Sequence, residues 1–296
     1  MNYRDNYVSK WMTKKTVDIS PKTTIFYAAK LMKQKDIGSL LITEKGKLLG
    51  ILTDTDIIQK VLASEKKSDK TRASQIMTSK IISITEDFTL LDAIELIFKK
   101  KIKRLPVISI HGQLKGIITE VDIMRALSKI GRISELINII HHLLTHKDTI
   151  KGKKVMEVGY WMSRNTKIIH EHETIETATK LMKQHNCGSL PVVNCKDDII
   201  GIITDTDIIH KVVAMNLDPK KIIVEKIMTK NVLITTPQKN IIKVAEIMHK
   251  KKIRRIPVMQ DTKIIGIIAS IDLINALFSI NNYEQAKELI DVMYKI

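Results

Sequence analysis

Trp11–Gln34 reads WMTKKTVDISPKTTIFYAAKLMKQ, and Trp161–Gln184 reads WMSRNTKIIHEHETIETATKLMKQ. The two stretches align without a gap, at an offset of 150 residues. Farther on, GILTDTDIIQKVLA at Gly50–Ala63 returns as GIITDTDIIHKVVA at Gly201–Ala214. The chain is a duplication. Repetition on this scale means that small supersecondary units are set against one another, because one unit alone cannot bury its apolar face.

Each half divides again. A Met opens each unit (Met12, Met77, Met162, Met228), and an Asp follows 44 or 45 residues later (Asp56, Asp122, Asp207, Asp272). Thr24, Thr89, Thr174 and Asn240 share one column, and all are good helix N-caps. After each cap, apolar or Ala residues fall one, four, five and eight positions on, as in Ile25, Ala28, Ala29 and Met32, which gives a helix one apolar face. Short β-branched runs such as Leu190–Val193 and Ile199–Ile203, split by a polar turn, predict paired strands. A second helix begins near each Thr-x-x-Asp and carries Ile57, Ile58, Val61 and Leu62 in the first unit. The expected unit is β-α-β-β-α, α/β in class, present four times in two pairs. The expected limits are 8–66, 72–131, 158–216 and 222–280, with a helical joint at 132–157 and a final helix at 281–296.

Length and composition agree with several small cores. The chain has 296 residues and 33.8 kDa, which is long for a single domain. Only 4% of residues are aromatic, so the interior must be built from Ile, Leu, Val and Met. Lys and Arg number 49 against 32 Asp and Glu, a formal charge of +17, which raises anionic partners. The excess is spread over both halves and forms no basic stripe, so nucleic acid is the second reading of the charge and not the first. Cys187 and Cys195 cannot make a disulfide framework, and their spacing fits no zinc motif. His170 and His185, which complete a possible donor set with them, do not recur in the other half. The expectation is therefore no metal. Met1–Lys10 lacks a signal-peptide core, and the apolar stretch Ile264–Ile280 is interrupted and short, so a cytoplasmic protein without a membrane span is expected. No Walker-type glycine loop and no nucleophile–base set recurs, so no catalysis is expected.

The quoted motifs carry a resemblance. MTKKTV, MTSKII, MSRNTK and MTKNVL open the units. RLPVI, SLPVV and RIPVM precede the turn, and GILTDTD, GIITEVD, GIITDTD and GIIASID follow it. In this order they resemble the cystathionine β-synthase (CBS) domain, over nearly the whole chain outside the joint and the ends. The layout of two tandem pairs (Bateman modules) is similar to the adenylate-sensing γ subunit of the AMP-activated protein kinase. The resemblance implies clefts between paired units that take AMP, ADP or ATP, with S-adenosylmethionine an alternative. It further implies that the motif Asp binds ribose hydroxyls, with the Thr near ribose or phosphate. Carried over, these are Thr53 with Asp56, Thr119 with Asp122, and Thr204 with Asp207. Lys103, Arg104, Arg254 and Arg255, which stand just before the hairpins of the even repeats, are implied phosphate contacts.

Two structural alternatives stand beside that reading. Thr-x-x-Asp ahead of an apolar run is also a capping box, and the basic residues could be solvated ends of basic helices. Gly38-Ser39 and Gly188-Ser189 fill the same column in the odd repeats, where they leave room for a ligand or permit a tight turn. In the fourth repeat Ala269 replaces the Thr, which puts the site of Asp272 in doubt. The expected function is a regulatory adenine-nucleotide sensor that signals to an effector protein, as a monomer or a homodimer.

Overall fold

The computed structural model describes residues 7–126 and 153–294, apart from 101, 103, 120, 124, 165, 278, 279, 281 and 282. Most of the expected joint at 132–157, and the call that it is helical, lie outside the described residues.

The four hairpins form as the motifs predict. Ser39–Glu44 pairs with Lys47–Thr53, Arg104–Ile108 with Leu114–Thr119, Ser189–Val193 with Ile199–Thr204, and Arg255–Gln260 with Lys263–Ala269, all antiparallel. Each hairpin has a register shift at the same column, for example between Val192 and Val193. A two-residue strand runs parallel to the hairpin in repeats one to three: Asp18–Ile19, Ile84–Thr85 and Ile169–His170.

Repeat four departs from the expected β-α-β-β-α. Its first strand shrinks to one parallel bridge, Thr235 to Val258. In repeat three the N–H of Glu171 extends the ladder to the Val193 carbonyl, whereas Pro237 in the matching column has no N–H to give; Pro21 holds the same column in repeat one, whose strand pairs through Asp18 and Ile19 instead.

The helices start where the caps predict. Thr24, Thr89 and Thr174 accept a hydrogen bond from the backbone N–H three residues on, and Asn240 accepts one from Ile242. Helices Ile25–Lys35, Leu90–Lys100, Ile175–His185 and Ile241–Lys251 then bury the expected face, including Ile25, Ala28, Ala29 and Met32 in the first. Asp36, Asn186 and Lys252 stop three of them in the left-handed region, with φ of 51°, 48° and 54°. Full burial of a side chain such as Ile25 or Met32 contributes about 1.5–3 kcal/mol.

Paired repeats exchange their openings. Thr13 and Ile117 trade both backbone hydrogen bonds, at 2.9 and 3.0 Å, and Thr78 and Ile51 do the same in return. In the second pair Ser163 joins Ile267, and Thr229–Lys230 pairs with Ile199–Thr204. The preceding Met then lies on the glycine of the partner's G-h-h-T motif. A Cβ on Gly50, Gly116, Gly201 or Gly266 would come within 2.5 to 2.9 Å of the sulfur of Met77, Met12, Met228 or Met162.

The cores run across this pairing. One joins repeats one and three, and the helix Ile25–Lys35 packs on Asp205–Lys211 while Asp54–Lys60 packs on Ile175–His185. The other joins repeats two and four. The two halves of the chain therefore pack on each other within one molecule. Helix Tyr283–Tyr294 closes the chain against Ile241–Lys251, burying Ala286, Leu289 and Ile290.

Candidate functional site

Each hairpin ends by turning directly into the start of a helix. At Thr53 the backbone N–H and the hydroxyl both donate to Asp56 Oδ2, at 2.9 and 2.7 Å, and the Asp56 N–H donates back to Thr53 Oγ1. Thr204 and Asp207 repeat these bonds, as do Thr119 and Asp122. The capping box is thus real. It uses one carboxylate oxygen and leaves the other for different work.

That second oxygen is held ready by a cation. Asp56 Oδ1 lies 2.6 Å from Lys60 Nζ, and Asp207 Oδ1 lies 2.7 Å from Lys211 Nζ. Both ammonium groups also donate to a carbonyl at the opening of the next repeat, Ile76 or Ile227. Each lysine therefore ties an acidic helix start to the partner repeat. Asp122 Oδ1 instead accepts from Arg125 at 3.2 Å and from Thr13, across the pair, at 3.1 Å. In repeat four the Ala269 N–H still donates to Asp272 Oδ2 at 2.7 Å, and Ala269 has no hydroxyl of its own to add.

The expected basic residues part company. Arg254 is exposed, whereas Arg255 turns inward. Its guanidinium reaches Asp205 of the partner repeat with contacts of 3.1 and 3.4 Å. Arg104 begins its strand in the matching position and acts on Asp54 electrostatically. Lys103 lies outside the described residues.

The room expected beside Gly188 is filled. A Cβ there would come within 2.6 Å of Asp205 Oδ2 and 2.9 Å of Arg255 Nη2, and one on Gly38 would meet Asp54 Oδ2 at 2.7 Å. These glycines make space for the protein's own charged groups. Asp205 is 6% exposed, and Asp54 is partly buried. Burial above all, and then Asp205 facing it, pushes the Asp54 carboxyl up to about 6, against the pull of Arg104 and Arg255.

Asp54 and Asp205 were absent from the sequence-derived site, as were Lys60 and Lys211. The signal was there: T-D-T-D occurs only in the odd repeats, and the even ones have Glu120 and Ser270 in that column. Among the described residues, no group of three or more His, Cys, Asp or Glu is placed to hold a metal ion. Cys187 is partly buried, which raises its thiol pKa, and Cys195 is exposed. Among the described residues no helix is long and apolar enough to cross a membrane.

The CBS-domain family model matches four times, at residues 8–63, 73–129, 155–214 and 224–279. The chain belongs to the CBS-domain family. Among curated proteins, this CBS-domain chain is 28% identical over 269 residues to CBSCBSPB2 of Arabidopsis thaliana, covering 85% of the chain and 49% of that protein. The chain thus spans about half the length of the plant relatives it matches. It is 28% identical over 204 residues to MJ1225 of Methanocaldococcus jannaschii, covering 68% of the chain and 69% of that protein. The crystal structure of MJ1225, described as an archaeal homologue of γ-AMPK, covers 97% of the chain with a TM-score of 0.67 at 21% identity. A Pyrococcus horikoshii structure gives a TM-score of 0.50 at 22% identity, also over 97% of the chain. At these identities the likeness is one of fold: four CBS repeats in tandem pairs.

Proposed function

We propose that this CBS-domain protein is a regulatory adenine-nucleotide-binding protein without catalysis of its own. It senses AMP, ADP or ATP in the clefts between paired repeats and passes the state on to an effector protein. One observation carries the reading. The helix starts of repeats one, two and three each hold an acidic side chain with one oxygen fixed by the cap and the other against a cation. Such an oxygen accepts a ribose hydroxyl, and the displaced cation is on hand for phosphate. S-adenosylmethionine shares the adenosine half and stays within the same reading. Signalling needs the ligand to prefer one arrangement of the paired units over another, and the lysines that cross from Asp56 and Asp207 to the next repeat are suited to transmit it.

The test is a thermal shift with AMP, ADP, ATP and S-adenosylmethionine beside a single-stranded oligonucleotide. A ligand at a hundred times its Kd stabilises by about 2.7 kcal/mol. We expect an adenosine ligand to raise the melting temperature of the native protein and to act much less on Asp207→Ala, compared with that variant's own unliganded melt. Stabilisation by the oligonucleotide alone, lost steeply with salt, would overturn the reading and transfer the +17 charge to nucleic acid.

A further inference from the structure

Repeats one and three meet along two seams that the duplication makes equivalent. Helix Ile25–Lys35 packs on the short turn Val213–Met215, and helix Ile175–His185 packs on the turn Leu62–Ser64. Columns match at an offset of 150 residues up to the hairpin and 151 beyond it. Lys33 Nζ meets Met215 Sδ at 3.3 Å, and in the same columns Lys183 Nζ meets Ser64 Oγ at 3.0 Å. Beside Ser64 the seam is ionic. Glu65 accepts from Lys180 and Lys220, and Glu176 lies 3.5 and 3.3 Å from the same two ammonium groups. The other seam has Asn216 in the column of Glu65, Phe26 in that of Glu176 and Asp69 in that of Lys220, while Lys30 keeps the charge of Lys180. Lys30 Nζ lies 5.7 Å from the centre of the Phe26 ring, and Tyr27 is tilted against that ring with centroids 5.4 Å apart. Among the described residues neither Lys30 nor Lys33 has an ion pair. The surface around them is apolar: Tyr27 is 62% exposed, Met215 55% and Leu217 44%. Large apolar groups exposed together mark an interaction site, whereas single ones do not.

We propose that this second seam is a docking surface for an acidic, apolar segment of a partner protein. The segment seats a carboxylate on Lys30 and lays aromatic or aliphatic side chains on Tyr27, Met215 and Leu217. The inference stands apart from the nucleotide reading and needs no occupied cleft. The ionic seam shows what its counterpart lacks. There a carboxylate projects from the column of Asn216 and satisfies the cation in the column of Lys30. With Asn216 in place of Glu65, that seat is left to a carboxylate from outside. Apolar contact supplies most of the affinity, and the charge selects the partner. Two observations choose a peptide over other anions. Lys30 covers the face of Phe26, so Tyr27 is the one open ring here, whereas single-stranded nucleic acid stacks successive bases on several. Acidic side chains also stand at the rim. Asp69 follows Ser68, whose carbonyl accepts from the Phe26 N–H, and Asp218 follows Leu217, both exposed. They repel a chain of phosphates or an anionic bilayer, but a peptide can carry its carboxylate at one position only.

The experiment is fluorescence anisotropy on the full chain at low salt, with a labelled decapeptide in which Glu alternates with Leu and Phe. The comparison probes are the same peptide with Lys for Glu, a single-stranded oligouridylate, and phosphatidylserine vesicles followed by co-sedimentation. We expect the acidic peptide to bind and the Lys peptide to stay free. Asn216→Glu fills the carboxylate seat from within. It asks for a left-handed backbone that Glu65 already adopts in its own column, with φ of 53° at Asn216 and 54° at Glu65. This change should weaken the peptide about two- to fivefold, the worth of one exposed ion pair. Tyr27→Ala, which removes an aromatic anchor, should weaken it about tenfold. Both side chains are exposed, thermal melts check that each variant is folded, and Lys30→Gln is a second charge variant with the same expectation as Asn216→Glu. Absence of peptide binding to the native protein would overturn the inference. Equal peptide binding by native protein, Asn216→Glu and Tyr27→Ala would overturn it too. So would oligouridylate or vesicle binding that Tyr27→Ala abolishes while the acidic peptide stays free. Because no adenine nucleotide is present, each of these results leaves the nucleotide reading where it stood.

Discussion

The sulfur of Met12 occupies the space that a side chain on Gly116 would need: a Cβ there would stand 2.7 Å from Sδ and 3.0 Å from the Thr13 carbonyl. The Met that opens one repeat and the Gly of its partner's motif are thus two halves of one contact, made four times.

Gly116→Ala should therefore destabilise the protein by about 1–3 kcal/mol, the usual cost of overpacking. Met12→Ala removes the obstacle as well as its own packing. In a double-mutant cycle the pair should cost less than the sum of the single changes, read by urea unfolding. Strict additivity would mean that sulfur and glycine do not meet.

Ala269→Thr should supply the missing hydroxyl of the fourth capping box, since the Ala269 N–H already donates to Asp272. The expected gain is about 0.5–1 kcal/mol, and Thr204→Val should lose a similar amount by the reverse change. Thermal melts without ligand check both. A gain in nucleotide affinity beyond the gain in stability would show that the fourth helix start also touches ligand.

Much of this was legible in the residues. The caps Thr24, Thr89, Thr174 and Asn240, the buried helix faces and the hairpins all follow from local rules of spacing and hydrogen bonding. The partners of Asp205 and Asp54 were not legible, because they come from strands 50 residues away and from the other half of the chain. Sequence spacing reports what a residue is near along the chain, and the inward turn of Arg255 beside an exposed Arg254 is decided only by packing. For the same reason Gly188 suggested an empty cleft, when its missing side chain makes way for Asp205 and Arg255.

Asp54→Asn should make stability less sensitive to pH. Burial holds the carboxyl, ordinarily near 3.8, up at about 6 in the folded protein, so its ionisation opposes folding. That penalty is absent below about pH 4, grows as pH rises and is complete above about pH 6. The variant should melt higher than the native protein at pH 7.5, with no such advantage near pH 4. An equal shift at both would assign the effect to packing.

Glu65 titrates with the opposite sign. It accepts from Lys180 of repeat three and from Lys220, which follows that repeat, at 2.9 Å each, and these bonds hold its carboxyl down at about 2. A lowered value means a contribution present above the ordinary pKa near 4.5 and lost as pH falls towards 2. The cluster is exposed, so Glu65→Gln should lower the melting temperature only slightly at pH 7 and low salt. The deficit should shrink in high salt and on acidification below pH 4.5.

The two ways in which the repeats are fastened run at right angles in connectivity. Strand exchange laces one to two and three to four, whereas the apolar cores lace one to three and two to four. Every repeat is gripped by two different neighbours, and the four links close into a ring. Each half, if separated from the other, would carry two bare core faces. A strain entering at any one repeat has two routes to the repeat opposite. Four separate repeats have in this way become a single mechanical object.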